Sequence, residues 1–360
     1  ERSATDALAT IFVSIPSYRD PECQYTVRDL FHRARRPERV FVGVCWQADK
    51  VEDASCFLLD PPDQHAAQVR TLLLHHSEAR GPCYARALIE QKLFAGEDFV
   101  LQLDSHYRMA EGWDEELVSQ LRLCASPKPI LTTYPSSYTL PEDYCPGGPD
   151  RARLNPQTHP IVMCAREFGE ADGFLRSGGK AVFAERLGAT PPASLFWAAG
   201  FAFCSSAVLE EVPYDPGLED LFFGEEPCMA ARLWTSGWDF FAPTRVLGYH
   251  LWTRSHRPVF REHAGEERRR REASSQARAR RLLAEAVADS ADRYGLGSAR
   301  SLGDYEAFCG VSFARREMSP HARRGGLDAG AFVAGDPAAE GGAAPALDLP
   351  QLRELLGGAG

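Results

Sequence analysis

The 360-residue sequence contains no C-x-x-C pair, no G-x-G-x-x-G fingerprint and no Walker A loop. Without paired spacing a thiolate-held zinc site is disfavoured. Without the two glycine-rich loops, so are a Rossmann dehydrogenase and a P-loop NTPase. No amino-terminal apolar h-region is present. The longest uncharged stretch, residues 188–209, is broken by Pro191-Pro192 and Gly200 and reads as a buried strand with its flanking loops, not as a membrane span. Positive charge is not in excess. The formal net charge is −10, so bulk electrostatics give no reason to expect nucleic acid or an acidic membrane as partner. The run Arg268-Arg269-Arg270-Arg271 lies in a basic helical stretch, 261–288, interleaved with Glu262, Glu266, Glu267 and Glu272, and reads as a solvated helix face. The chain opens Glu1-Arg2-Ser3, which fits a trimmed start and leaves a lost signal or anchor open.

What is present is ordinary globular material: 44% apolar and 25% charged residues, enough for a sizeable core. Ten scattered cysteines, several in apolar runs, read as buried free thiols in a reducing, cytoplasmic setting. Apolar runs at 9–14, 40–46, 69–75 and 99–103 predict strands, and the spacing at 22–35 and 84–94 predicts helices between them. That alternation is the pattern of an α/β unit with a largely parallel sheet, in which ligands bind beyond the carboxyl ends of the strands. Residues 16–20 and 104–106 fall at such ends, so the first third is expected to form a nucleotide-binding half. Short strands and Pro/Gly-rich loops follow over 127–168, then a glycine turn and helix at 222–234 and strands at 238–241 and 246–250. The expected domain covers 8–315, divided into 8–106 and an acceptor half, 107–315. The Gly/Ala-rich segment 323–360 is expected to be a disordered tail.

The sharpest chemical feature is Asp104-Ser105-His106 at the end of an apolar strand. A carboxylate and an imidazole two residues apart can turn toward one cation, and a mixed O/N site suits Mn²⁺ or a similar divalent ion on a diphosphate. Alone, the triplet reads as a polar loop. His250, in a second apolar run, would complete a three-ligand set such as a metal-dependent nucleotide-sugar transferase needs.

Several blocks carry a resemblance: 11–22 (Ile-Phe-Val-Ser-Ile-Pro-Ser-Tyr-Arg-Asp-Pro-Glu), 79–86, 102–106, 221–226, 230–234, 237–241, 250–252 and 293–298. In this order they resemble the GlcNAc-transferase family typified by cytoplasmic enzymes that modify hydroxyproline on an adaptor of SCF ubiquitin ligases. More distantly, they are similar to the polypeptide GalNAc-transferases. The resemblance implies a GT-A fold, a UDP-sugar donor (UDP-GlcNAc first), Mn²⁺ or else Mg²⁺, a protein or peptide acceptor and a retaining outcome. It places metal ligation on Asp104, His106 and His250, and an acidic role on Glu225.

Beside it stand physical expectations for single residues. Arg80 and Arg86 can stabilise charge developing on a departing diphosphate, although Arg86 reads equally as a helix-surface ion-pair partner. Ser14, Pro16, Tyr18 and Arg19, at the end of the first strand, lie where the resemblance to a GT-A domain implies that uracil and ribose dock, with Tyr18 either stacking on the base or capping the turn. Ser105 lies within the cation triplet. Gly200 either admits backbone close to the sugar or marks a bulge. Trp197 and Trp252 line the cleft or fill core. Of the adjacent Glu225 and Glu226 only one is expected to face the cleft, Glu225 first. The loops 135–160 and 176–192 are the expected acceptor or lid segments. Open alternatives are another UDP-sugar, a saccharide acceptor, or a non-catalytic binding module.

Overall fold

The computed structural model describes residues 9–156, 158–259, 265–284 and 292–333. Its first strand, β1 (Ile11–Tyr18), is followed by α1 (Cys23–Arg33), β2 (Val40–Gln47), β3 (Val69–Leu74), α2 (Gly81–Lys92) and β4 (Phe99–Leu103). Then come β5 (Tyr107–Met109), α3 (Trp113–Leu123), β6 (Pro129–Thr132), β7 (Ser136–Thr139), β8 (Arg153–Leu154), β9 (Ile161–Phe168) and β10 (Leu175–Ala181). The remainder holds α4 (Ala184–Leu187), β11 (Phe201–Ser205), α5 (Val208–Glu211), α6 (Glu225–Thr235), β12 (Asp239–Phe241), β13 (Gly248–His250), α7 (Glu266–Ala284) and α8 (Leu302–Cys309). Two short strands, β14 (Val311–Ser312) and β15 (Glu317–Met318), and α9 (Pro320–Arg323) follow.

The central sheet runs β12-β6-β11-β4-β1-β2-β3. All its pairs are parallel except those of β11, which is antiparallel to both β4 and β6. Strands covered on both faces need continuous apolar runs, and β1 and β2 supply them. Gly43 in β2 has a packing reason, because a Cβ there would meet the Phe12 ring at 2.5 Å. One core cluster joins Phe12, Ile89, Met229, Trp234 and Tyr305. A second joins Val13, Leu30, Leu103, Trp113 and Leu117, where the Trp113 indole N–H donates to the Leu30 carbonyl at 3.0 Å. A smaller sheet, β5-β13-β7-β8, stands against the carboxyl ends of β1 and β4.

Three expectations are corrected. The helix expected at 84–94 starts earlier, because Gly81 adopts a left-handed φ of +83° and Pro82 opens the first turn. Part of 176–192 is strand: β10 pairs antiparallel with β9 as a hairpin. The segment after Arg323, expected to be disordered, is packed as far as Val333. Leu327 and Phe332 lie against Val162, Val182 and Leu187, and the Val333 N–H donates to Ala181 O at 3.1 Å. Residues 334–360 lie outside the described residues, as do 260–264 and 285–291, which take in 261–264 and 285–288 of the basic stretch. All ten cysteines are free, nine of them buried and Cys145 exposed. Among the described residues no helix is long and apolar enough to cross a membrane, and 188–209 contains β11 and its loops.

Candidate active site

A cavity of about 360 Å³ opens at the carboxyl ends of β1 and β4. Two antiparallel registers assemble its floor. β11 pairs Phe201 with Leu103, which sets Gly200 against Asp104. β13 pairs His250 with Tyr107, and the Leu251 N–H donates to His106 O at 3.1 Å. Residues 146 positions apart thereby meet, with His250 Nε2 3.3 Å from Asp104 Oδ2. The His106 and His250 rings lie edge to face at 4.6 Å. Asp104, His106 and His250 each offer a ligand atom within 4.8 Å of the others.

The electrostatics suit a cation. Burial opposes charge on Asp104, but the His250 hydrogen bond and the Arg86 guanidinium hold its carboxyl well below the usual carboxylate range. Burial, together with the neighbouring His250, pushes His106 down to about 3, and burial lowers His250 too. Both imidazoles are therefore neutral near pH 7, the form that ligates metal. A Cβ on Gly200 would sit 2.8 Å from Asp104 Oδ2, so the missing side chain leaves this carboxylate its place. Gly200→Ala is expected to displace the carboxylate and weaken Mn²⁺ binding by about tenfold. The electron paramagnetic resonance signal of free Mn²⁺ reads this directly, and unchanged affinity would mean that the carboxylate swings clear.

Arg86 is buried on α2 between two acids, donating to Asp104 Oδ1 at 2.9 Å and lying 3.2 Å from Glu225 Oε1. The Tyr214 hydroxyl also donates to Glu225 Oε1, at 2.8 Å. Burial raises the Glu225 pKa against Arg86 and Tyr214. Glu226 accepts from the Tyr134 hydroxyl and, at 3.0 Å, from the Ala199 N–H, and burial pushes it up to about 7 against both. Both glutamates line the cavity, which corrects the expectation that only one would. They open α6 after Gly224, whose left-handed φ of +111° turns the chain so that neighbouring side chains share one wall.

An acid whose folded pKa is raised is destabilising once ionised, so its contribution to stability falls as pH rises from about 4.5 toward 7. Glu226→Gln should remove on the order of 1–3 kcal/mol of that decline. Urea unfolding of both proteins at pH 4.5 and 7.5 measures it, and parallel curves would place the Glu226 proton elsewhere.

Pro16, Tyr18, Ser105 and Trp252 also line the cavity. Three expected residues do not. Ser14 is buried inside β1 between Gly43 and Gln102 of its neighbours. Arg19 turns its Nε to Asp53 Oδ1 at 2.8 Å. Arg80, half-exposed, pairs with Glu219 and lies over the Tyr84 ring. The two arginines pair with nearby carboxylates on other loops, contacts that no local spacing encodes. Trp197 is core.

The cavity also takes in Gln47, Tyr134, Arg166, Arg254 and Arg257, which sequence reasoning did not single out. The compact Arg254-Ser255-His256-Arg257, beginning four residues beyond His250, was the available signal for two of them.

A family model described as glycosyltransferase (GlcNAc) matches residues 10–65 and 61–315. No curated protein matches the chain in sequence. Among solved structures, GalNAc-T7 with UDP, GalNAc and Mn²⁺ superposes with a TM-score of 0.52 and 16% identity, over 77% of this chain and 49% of that one. TarS 1–349 of S. aureus in complex with UDP-GlcNAc gives 0.41 and 13%, over 77% and 71%. The mannosyltransferase PcManGT of Pyrobaculum calidifontis in complex with GDP-Man and Mn²⁺ gives 0.39 and 15%, over 76% and 64%. The chain thus spans about half the length of the GalNAc-T7 chain.

Proposed function

The chain belongs to the glycosyltransferase (GlcNAc) family and has the GT-A fold, and from that premise we propose that it transfers N-acetylglucosamine from UDP-GlcNAc to a protein hydroxyl, with retention, using a divalent cation held by Asp104, His106 and His250. The observation that carries this reading is the meeting of those three side chains on the floor of the cavity, at the strand ends where α/β sheets bind ligands. The GalNAc-T7 structure, which contains UDP, GalNAc and Mn²⁺, supports the choice of donor class and of Mn²⁺ over Mg²⁺.

When bound, such a cation neutralises charge on the departing diphosphate. The chain's own groups do the rest. Arg86 holds the Asp104 carboxylate in place and adds positive charge to the floor, with its Nη1 unpartnered among the described residues. Pro16, Tyr18 and Gln47 form the wall for the base and ribose. Glu225 is engaged by Arg86 and Tyr214, and both oxygens of Glu226 accept hydrogen bonds. Front-face displacement, in which the departing phosphate takes the acceptor proton, asks least of these carboxylates. Glu226, poised near neutrality, can hold a sugar or acceptor hydroxyl.

Tyr134, Phe222, Phe223 and Trp252 add aromatic surface to the cavity lining, and the resemblance to hydroxyproline-modifying transferases puts hydroxyproline first as acceptor and serine or threonine second. The test is UDP release from a panel of UDP-sugars with hydroxyprolyl, prolyl, seryl and free-saccharide acceptors, with Mn²⁺ and with chelator. Turnover is expected only with hydroxyl-bearing peptides and cation. Full activity in chelator would remove the cation, preference for a free saccharide would remove the protein acceptor, and no turnover with any donor would leave a binding module.

A further inference from the structure

Behind the cavity floor, Asp20 ends the turn after β1 with no solvent exposure at all. Its carboxylate gathers donors from three segments. Oδ2 accepts from the Ser105 hydroxyl and from His106 Nδ1 at 2.7 Å. Oδ1 accepts from the Glu22 N–H at 3.0 Å and from His256 Nε2 at 3.2 Å, and Arg257 Nε lies 3.3 Å from Oδ2. Asp20, His106 and His256 stand close enough to suggest a second cation site. Arg257 argues against one, because a bound cation would compete with the guanidinium for the same oxygens. His106 Nδ1 is also already engaged.

We propose that Asp20 is the positioning residue of the cation site: it fixes His106 as the Nδ1–H tautomer and in the orientation that presents Nε2 beside Asp104 and His250. The inference rests on the reading of those three residues as the cation site. The physical reason is general. A metal-ligating imidazole is oriented by the acceptor that takes its other N–H, and loss of that acceptor typically costs about 10- to 100-fold in metal affinity. Asp20 is matched to the task because its one carboxylate reaches Ser105, His106 and the segment after His250 together. Through His256 and Arg257 the same anchor also holds that segment, which contributes Arg254 and Arg257 to the cavity.

Two measurements on the full chain test this. Titration of Mn²⁺ followed by the resonance of the free ion should show Asp20→Asn binding about 10- to 100-fold more weakly than the parent, with most of kcat regained at saturating Mn²⁺. His256→Gln, which leaves the His106 contact intact, should bind close to the parent. Nitrogen-15 spectra of the metal-free, histidine-labelled parent should show His106, assigned by its loss in His106→Gln, protonated on Nδ1. In Asp20→Asn that preference should weaken. A folded Asp20→Asn with parental Mn²⁺ affinity, or a parent His106 protonated on Nε2, overturns the proposal. If Asp20→Asn does not fold, the tautomer in the parent decides. A parent that binds no Mn²⁺ while His106 is protonated on Nδ1 would refute the cation reading but not the role of Asp20 toward His106.

Discussion

His106→Gln and His250→Gln are each expected to lower sugar transfer by on the order of 100- to 1000-fold, the range seen when one preorganised charge-stabilising group is removed. Each ring supplies one of the three candidate ligand side chains that meet at the floor, and Asp104 alone cannot hold a divalent ion. The loss should appear in Mn²⁺ affinity as well as in rate. Both rings are buried and hydrogen-bonded to a carboxylate, His106 to Asp20 and His250 to Asp104, so the melting temperature should fall as well, and Mn²⁺ affinity is read on the folded variants. The contrasting result, parental Mn²⁺ affinity and rate in either variant, would take the histidines out of the site.

Arg86→Met is expected to act mainly on stability. It removes the cation from between Asp104 and Glu225 and leaves the buried Glu225 facing the partly exposed Asp104. Breaking a buried ion pair from one side costs about 3–5 kcal/mol. Without the guanidinium both carboxyls should titrate higher in the folded state. A raised acid loses stability as pH climbs through the window between its unfolded and folded values, so the defect should be smaller at pH 5 than at pH 7.5. Adding Glu225→Gln removes one of the two charges and should recover part of the loss. Urea unfolding of the two single variants and the double variant at both pH values completes the cycle. A pH-independent loss of under about 1 kcal/mol would mean that water replaces Arg86 without penalty.

The parts of the fold that were legible share one physical property, a local apolar run long enough to be read by itself. The runs that became β1, β2 and β4 declared themselves, and with them the strand end that carries Asp104 and His106. His250 was legible because its run is short but uninterrupted. The β9–β10 hairpin was not, since β10 reads Leu-Arg-Ser-Gly-Gly-Lys-Ala and has no strand-like alternation. A Cβ at Gly178 or Gly179 would strike Arg166 or Ile161, so these glycines are set by the facing strand and not by local propensity. Asp20 looked like one more turn residue in Ser-Tyr-Arg-Asp-Pro-Glu. Its side-chain partners come from 85 to 237 positions away, and no window of sequence brings them together. Arg80 misled for the opposite reason, because a basic residue beside a glycine turn looks like a phosphate contact until Glu219 is known to be next to it.

The ladder between β5 and β13 also fixes when the site can exist. Asp104 and His106 leave the ribosome long before His250, and the contact between them closes a loop of 146 positions. Non-local contacts of this kind form late in folding, because the entropy of closure must be overcome before the contact returns anything. The nascent chain therefore passes through a long interval in which the central strands are already made while His250 has yet to be synthesised. Leu302 and Tyr305, which belong to the main core cluster, are made later still, so the cavity floor and the core that supports it are both finished from the last third of the chain.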